Sequence, residues 1–356
     1  MSSTSEIVPR SSVGGDRAAV RPGDYWSVAG RWFLFTDYGL VAQRRMAVVW
    51  SCVLACALAD FVWLPQSKLS FIPSNWSPLA RGVACLALAG ALVAVAFNRL
   101  RNDDGWIAAL LRRGLTRTEL LCRMALSFGA LLTAGATLSY VITAADLPLR
   151  DSLLAQADQS LGFDWLHFLE VTNSTPYVAT WLARVYNTAG PVTELVILWL
   201  ALTRNGERIA ELLAILGLST VGLCVGMLVI PAAGAFAYYE PAPQIFANYS
   251  ALGEMWTFGH TFNMLRDGSL SVVDLSALDG VVSFPSFHTM LGVIGIYAAR
   301  GTRWLFVFVF LTNASMIVST MPVGGHHLSD VLAGAGLTLA AIFVVRRQKA
   351  NLPAPS

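Results

Sequence analysis

The sequence predicts an all-α, polytopic membrane protein built as a bundle of helices, and two observations lead to this prediction. Of the 356 residues, 55% are hydrophobic and only 13% are charged, about half the charged fraction of an ordinary soluble domain. Eight apolar stretches alternate with polar segments, and most are close to the roughly 20 residues that a helix needs to cross a bilayer. The lipid bilayer is therefore the expected solvent of this chain.

The eight predicted membrane-spanning helices follow one another along most of the chain. The sixth is short, which indicates that its first turn does more than face lipid. The net charge is only +2, so nothing suggests nucleic acid as a partner. The predicted spans are residues 46–64, 80–98, 120–143, 176–203, 209–236, 286–300, 303–320 and 327–346.

These spans divide the chain into four segments. Residues 1–45 form a polar N-terminal tail that lacks the apolar core of a signal peptide. Two accessory spans and a basic loop follow at 46–119. The remaining six spans form a core at 120–346, and a short polar tail occupies 347–356. We expect both tails to lie in the cytoplasm.

The basic residues orient the bundle, because cytoplasmic loops are enriched in Lys and Arg. With the N-terminus inside, only five of the 24 basic residues fall outside the cytoplasmic segments: Lys68, Arg81, Arg150, Arg184 and Arg266. The inside set is Arg10, Arg17, Arg21, Arg31, Arg44, Arg45, Arg99, Arg101, Arg112, Arg113, Arg117, Arg123, Arg204, Arg208, Arg300, Arg303, Arg346, Arg347 and Lys349. The sequence therefore predicts a multi-pass protein of the cell (inner) membrane.

Two loops on the predicted outer side differ in character. In segment 144–175, Trp165, Phe168 and Leu169 predict a short amphipathic helix lying in the membrane interface. Segment 237–285 is long for a connection between spans, and loops of this length are usually functional.

Two short motifs open the sixth and eighth spans and carry the residues best suited to chemistry. They run from Phe284 to His288 and from Pro322 to Asp330. Two membrane crossings separate them, so both lie on the same, outer face. Helix N-termini direct free N–H groups at anions, and glycine at position 325 lets the backbone approach closely. Two such helix starts are expected to cradle a phosphate.

The side chains of these motifs fit a phosphoryl-transfer site. His326 and Asp330 are four residues apart and share one helical face. Asp330 can accept the N–H of one imidazole nitrogen and leave the other as a nucleophile. His288 can act as the general acid for the leaving oxygen. Ser286 and the backbone at Gly325 are candidate phosphate-binding groups.

Plainer interpretations of the same residues stay open. A histidine at the end of a span is often only an interfacial hydrogen-bonding residue, and a His/Asp pair is often a local structural bond. Zinc is a rival ligand for His326, His327 and Asp330. Adjacent residues of a helix diverge by about 100°, however, so neighbouring histidines chelate one ion poorly. We predict no metal and no cofactor.

Over roughly residues 120–346, the chain resembles the type 2 phosphatidic acid phosphatase superfamily, and more closely its branch containing inositol phosphorylceramide synthases. The second motif of the superfamily, Pro-Ser-x-His, matches Pro285, Ser286 and His288, and its third motif matches Ser319, His326 and Asp330 in spacing. The resemblance implies a phosphohistidine on His326, oriented by Asp330, with His288 protonating the leaving group and no metal required.

Two departures from the superfamily pattern concern positive charge. The arginine of the third motif is Thr320 here, and the first motif, with its Lys and Arg-Pro, is absent as such. Arg266 is the candidate for the missing arginine, and Arg184, near the outer end of the fourth span, is a second phosphate-binding candidate. The structural alternative for Arg266 is a pair with Asp267 or a bridge within the loop, and that for Arg184 is an ion pair with a carboxylate.

The resulting prediction is an integral membrane lipid phosphatase or phosphotransferase. One alternative is a transferase, similar to inositol phosphorylceramide synthases, that moves a phospho-headgroup to a lipid or polyol acceptor. The other is a transporter or scaffold without enzymatic activity. A membrane lipid is the expected substrate.

Overall fold

The computed structural model describes residues 32–72, 76–100, 102–203, 205–250, 258–275 and 278–350. These residues are almost entirely helical, as predicted. One parallel pair of short strands, β1 (Ser70–Phe71) and β2 (Val272–Val273), joins two loops, with Ser70 opposite Val272. Most of the predicted N-terminal tail and the end of the C-terminal tail lie outside the described residues, as do Arg10, Arg17, Arg21, Arg31, Arg101 and Arg204.

Fourteen α-helices follow one another in the described part of the chain, with short 3-10 helices at Thr36–Tyr38, Leu64–Gln66 and Pro243–Phe246. In chain order they are α1 (Gly39–Trp63), α2 (Trp76–Arg99), α3 (Trp106–Ala144), α4 (Asp151–Ser160), α5 (Trp165–Asn173), α6 (Pro176–Tyr186), α7 (Ala189–Leu202), α8 (Gly206–Val229), α9 (Ala235–Tyr239), α10 (Ala247–Ser250), α11 (Phe258–Asp267), α12 (Phe287–Ala299), α13 (Arg303–Ser319) and α14 (Leu328–Ala350).

Each of the eight predicted spans falls on an apolar helix. Five helices are by themselves long and apolar enough to cross a membrane: α1, α2, α3, α8 and α14. A sixth crossing is possible if α6 and α7, which meet at an angle of 46°, form one bent span. The remaining two predicted spans correspond to the shorter apolar helices α12 and α13.

The structure corrects two boundaries of the predicted spans. The basic segment 99–119 is not a loop for most of its length, because α3 already begins at Trp106 and continues for 39 residues. The fifth span ends at Val229 rather than at residue 236. Pro231 explains the early end, since proline lacks the N–H that the helix ladder needs and restricts the residue before it.

α8 is the centre of the bundle and α2 lies at its edge. In the most apolar window of each helix, 61% of α8 is buried but only 11% of α2. α1 packs closely against α8, where a Cβ at Gly217 would lie 3.3 Å from the Cβ of Cys52. Of the two spans predicted to be accessory, α1 therefore belongs to the main core and only α2 is peripheral.

The segment predicted to lie in the membrane interface instead packs inward. It forms α4 and α5, and Trp165 at the start of α5 is only 1% exposed. Trp165 and Leu169 pack with Leu182, Tyr249 and Val323. The prediction of an interfacial orientation for Trp165 is wrong, because its indole has a hydrogen-bond acceptor inside the protein, the carbonyl oxygen of His326 at 3.1 Å.

Candidate active site

The starts of α12 and α14 meet in space, as the two sequence motifs predict. The backbone N–H of Ser286 donates to the carbonyl oxygen of Asp330 at 3.0 Å. The helices approach so closely that a Cβ at Gly334 would lie 2.6 Å from the carbonyl oxygen of Ser286. The absence of a side chain at Gly334 therefore allows the two motifs to lie this close together.

Asp330 holds His326 in one orientation. Nδ1 of His326 lies 3.3 Å from Oδ2 of Asp330, and both side chains are buried. The same carboxylate oxygen accepts the backbone N–H of His327 at 2.8 Å and the hydroxyl of Ser283 at 3.2 Å. With its proton on Nδ1 facing the carboxylate, the imidazole carries a free electron pair on Nε2. This is the arrangement that a nucleophilic histidine requires.

His288 reaches the site from α12 and stacks on Tyr186 at the end of α6. The two ring centroids are 4.4 Å apart with an interplanar angle of 24°. Tyr186 also lies beside Gly324, where a Cβ would meet Cε2 of Tyr186 at 3.1 Å and Cδ2 of His326 at 3.0 Å. Tyr186 therefore lies near both His288 and His326. The sequence motifs gave no indication of it, because it lies on a distant helix outside both.

Ser286 and Gly325 have clear structural roles. The Ser286 side chain is fully buried and caps α12, its Oγ accepting the backbone N–H of Thr289 at 3.4 Å. Gly325 has a positive φ of +67°, which favours glycine, and its carbonyl oxygen accepts the N–H of Phe236 at 3.3 Å. Both residues shape the two helix starts, and phosphate binding by them stays a prediction.

The two candidate phosphate-binding arginines, Arg266 and Arg184, lie apart from the histidine site. Arg266 forms an ion pair with Asp146 at 2.6 Å and donates to the carbonyl oxygen of Leu147 at 3.0 Å. These contacts tie α11 to the residues that follow α3, so Arg266 acts as a structural bridge. Arg184 is exposed in the last turn of α6. The structure does not bring either guanidinium into a described contact with His288, His326 or Asp330.

A second acid–histidine cluster lies directly beside the first and was not anticipated as such. His327 is fully buried, with Nδ1 3.3 Å from Oδ2 of Asp158 and Nε2 3.6 Å from Oδ1 of Asp151. Burial alone lowers the pKa of His327, but the carboxylates of Asp151 and Asp158 more than offset this and raise the pKa to about 9. The imidazole is therefore a buried cation at neutral pH.

The two aspartates also hold backbone groups around the site. Asp158 accepts the N–H groups of Leu328 at 3.0 Å and Ser329 at 2.8 Å, which caps the start of α14. Asp151 accepts the N–H groups of Ala233 and Gly234 at 3.0 and 2.8 Å. α4 thereby fixes the position of the helix start that carries His326. The acidic character of this segment is evident from the sequence, but the pairing of Asp151 and Asp158 with His327 is not.

The described residues contain no group of three or more His, Cys, Asp or Glu side chains arranged to hold a metal ion. The polar contacts of the site instead run between imidazoles, carboxylates and backbone groups.

The fold and the site define a helical membrane protein whose two apposed helix starts carry a histidine–aspartate pair and a further histidine. The sequence profile of the PAP2 superfamily matches residues 152–344, more than half of the chain. The chain therefore belongs to the PAP2 superfamily, which confirms the resemblance seen in the motifs. The match includes His288, His326 and Asp330, and it leaves out α1, α2 and α3.

Neither the curated proteins nor the solved structures include a significant match to the chain. Membership of the superfamily, whose members are generally phosphatases, supports an enzyme with a phosphatase-type activity on lipid phosphates.

Proposed function

We propose that this protein is an integral membrane lipid phosphatase or phosphotransferase that works through a phosphohistidine on His326. The observation that carries the proposal is the orientation of one imidazole by a buried carboxylate. Asp330 faces Nδ1 of His326 at 3.3 Å, so Nε2 is the nitrogen left to attack. A second histidine, His288, comes from a different helix at the same end of the bundle.

In the first half of the reaction, the electron pair of His326 Nε2 attacks the phosphorus atom. The P–N bond forms while the P–O bond to the leaving alcohol breaks, and His288 donates its proton to that oxygen. Asp330 stabilises the positive charge that develops on the His326 ring. The positive end of the α12 dipole, beside His288, would stabilise charge on the phosphoryl oxygens.

In the second half, an oxygen nucleophile attacks the phosphohistidine. His288, now neutral, accepts the proton of that nucleophile, the P–O bond forms and the P–N bond breaks. Water as nucleophile gives inorganic phosphate, and the hydroxyl of a lipid or polyol gives a transferase. The protein groups used in both halves are the same, and the proposed reaction requires no metal ion.

A cavity beside the motif supports a lipid substrate. It has a volume of about 380 Å³ and lies between α3, α8 and the segment leading into α12. Its lining is mainly apolar and includes Phe287, the residue directly before His288. Its main apolar lining residues are Leu132, Leu223, Leu278, Val281, Val282 and Phe287. An acyl or prenyl chain placed there would bring its phosphate towards the histidines.

The charge distribution supports an outer location for the site. α12 and α14 carry the histidine motifs at their first residues, whereas Arg300 and Arg346 lie at their other ends. Because basic residues mark the cytoplasmic side, the histidine end faces outward. We place the active site at the outer, periplasmic face of the cell membrane.

A transferase related to inositol phosphorylceramide synthases is the second candidate, and Thr320 favours it. This residue replaces the third-motif arginine of the phosphatases, is fully buried, and donates its hydroxyl to the carbonyl oxygen of Ile317 at 2.7 Å. It therefore supplies no charge to a phosphate. If a lipid or polyol acceptor is added and phosphate release falls while a new phospholipid forms, the protein is a transferase.

The proposal is tested with purified protein in detergent, a panel of lipid phosphates and phospholipids, and EDTA. Inorganic phosphate and new phospholipid products are measured for wild type, His326→Ala and the control His167→Ala, which removes an exposed histidine of α5. We expect turnover by wild type and by the control, and none by His326→Ala. Equal turnover by all three proteins would refute the phosphohistidine mechanism.

A further inference from the structure

A large polar cavity lies at the end of the bundle opposite to the histidines. It has a volume of about 760 Å³, within the range of small-molecule sites, roughly 300–1,000 Å³. It lies among the ends of α1, α8, α12 and α14 and the turn into α13. Its lining residues are Arg45, Asn205, Glu207, Arg208, Glu211, Arg300, Gly301 and Arg346.

The carboxylates of this cavity are already engaged. Buried Glu211 accepts hydrogen bonds from Arg45 at 3.4 Å, from the hydroxyl of Tyr297 at 2.8 Å, and from Arg300. Glu207 pairs with Arg45 at 3.4 Å. Four guanidinium groups thus face only two carboxylates, and the lining of the cavity carries an excess of positive charge.

Two of the four arginines form no described ion pair with a carboxylate. Arg208 donates to the carbonyl oxygens of Ala298, at 2.6 Å, and of Arg300, which orient the guanidinium without neutralising it. Arg346 is exposed at the rim, near the end of α14. The cavity thus combines fixed cationic groups with room for an anion.

Arg45 is the buried arginine of this cavity. Its side chain is only 2% exposed, yet its Nε has no hydrogen-bond partner. The other two nitrogens of Arg45 are held by Glu207 and Glu211, so the position of this cationic group at the cavity wall is fixed.

We propose that this cavity binds a phosphate-bearing anion, either the headgroup of an anionic lipid or a soluble phosphate. Guanidinium groups match the paired oxygens of phosphate and stay charged at any physiological pH. Basic pockets between helices on the cytoplasmic side are typical sites for anionic headgroups. A closed network of structural ion pairs would need no such excess of arginine.

This site is separate from the histidine site. Asp330 and Arg346 both belong to α14 and are 16 residues apart, which corresponds to about 24 Å along a helix. No single phosphate spans that distance. The inference therefore does not depend on the proposed catalytic activity, and an inactive protein would still bind the anion.

Two neighbouring arginines provide a matched test. Arg346→Gln removes one charge from the rim of the cavity. Arg347→Gln removes the same charge one residue further on, where the side chain is exposed, lies over the ring of Phe343 and does not line the cavity. Both variants keep the histidine site intact, so phosphate binding there is common to both and cancels in the comparison.

Binding is measured on the full-length protein in detergent with two probes. Native mass spectrometry measures phosphatidylglycerol, with phosphatidylcholine as the zwitterionic reference of zero net charge, and titration calorimetry measures inorganic phosphate. We expect Arg346→Gln to bind about five-fold more weakly than Arg347→Gln, since one basic side chain contributes about 1 kcal/mol to holding an anionic headgroup.

A difference seen with phosphatidylglycerol alone identifies a lipid headgroup as the ligand, and a difference seen also with inorganic phosphate identifies the phosphate group itself as sufficient. Equal affinities of the two variants for both probes would overturn the proposal and leave the arginines as a structural network.

Discussion

The two ends of α12 and α14 carry opposite kinds of chemistry. At one end His288, His326 and Asp330 stand at or near the first turns of these helices, with His327 and two further aspartates beside them. At the other end Arg300 and Arg346 face a cavity together with two glutamates. Histidine gains and loses a proton near neutral pH, whereas arginine stays charged.

This contrast shows how one pair of helices serves two purposes. The histidine end holds proton-carrying side chains in fixed orientations through carboxylates and backbone groups. The arginine end keeps permanent charges around an open space. Substitutions at the first end should therefore change turnover, and substitutions at the second end should change stability or anion binding.

The largest effect is expected for Asp330→Asn. The amide preserves the shape of the side chain but no longer selects the Nδ1–H tautomer of His326, so turnover should fall about 10³-fold. Ser283→Ala is the control, because it removes another partner of the same carboxylate and leaves its charge. It should cost no more than about ten-fold. Activity of Asp330→Asn above one tenth of wild type would argue against the orienting role.

Next in size is the effect of His288→Ala, which separates acid catalysis from binding. With an alkyl lipid phosphate, whose leaving oxygen needs a proton, turnover should fall about 100-fold. With p-nitrophenyl phosphate, whose leaving group needs none, the loss in the phosphorylation step should be less than about ten-fold. The measurement is a pre-steady-state burst for both substrates. Equal losses would contradict a general-acid role for His288.

Arg45→Met examines the opposite end of the bundle. It breaks a buried ion pair with Glu211 while Arg300 still compensates that carboxylate, so we expect a loss of about 2 kcal/mol in the free energy of unfolding. Turnover per folded molecule should not change. Arg44→Met, at the exposed neighbouring position, is the control for stability. If Arg45→Met lost much of its turnover without losing stability, the arginine end of the bundle would also take part in catalysis, which would contradict the proposed division.

A dependence of stability on pH is expected through His327. Its pKa lies at about 9 in the folded protein against an ordinary value of 6.5, so its protonation stabilises the fold fully below pH 6.5. That contribution is lost as the pH rises from 6.5 through 9. The melting temperature of wild type should fall by a few degrees over this range. His327→Gln should flatten the curve, and the exposed-site control His260→Gln should not. An unchanged slope in His327→Gln would contradict the assignment.

Much of the fold could be predicted from the sequence, because each membrane-spanning helix corresponds to a continuous apolar stretch of the sequence. The two motifs were also placed correctly at one end of the bundle, since counting the crossings between Ser286 and His326 determines their side. The order of α12, α13 and α14 and the pairing of His326 with Asp330 follow from spacing alone.

What could not be predicted depends on contacts between segments that are distant in sequence. Tyr186 reaches His288 only because α6 and α12 pack together, and Asp151 and Asp158 find His327 only after α4 folds back on α14. Arg266 was assigned by loop position, but its ion pair with Asp146 depends on the end of α3. Trp165 looked interfacial because its indole acceptor, the carbonyl of His326, is 161 residues away.

The most direct test of the central claim is to trap the phosphorylated protein. Wild type is mixed with a radiolabelled lipid phosphate in EDTA and quenched in alkali, where phosphohistidine survives and phosphoserine does not. Peptide mass spectrometry then locates the label. The account predicts an acid-labile phosphate on His326 that is absent from His326→Ala and present in His167→Ala. A label on another residue, or turnover without any label on His326, would contradict it.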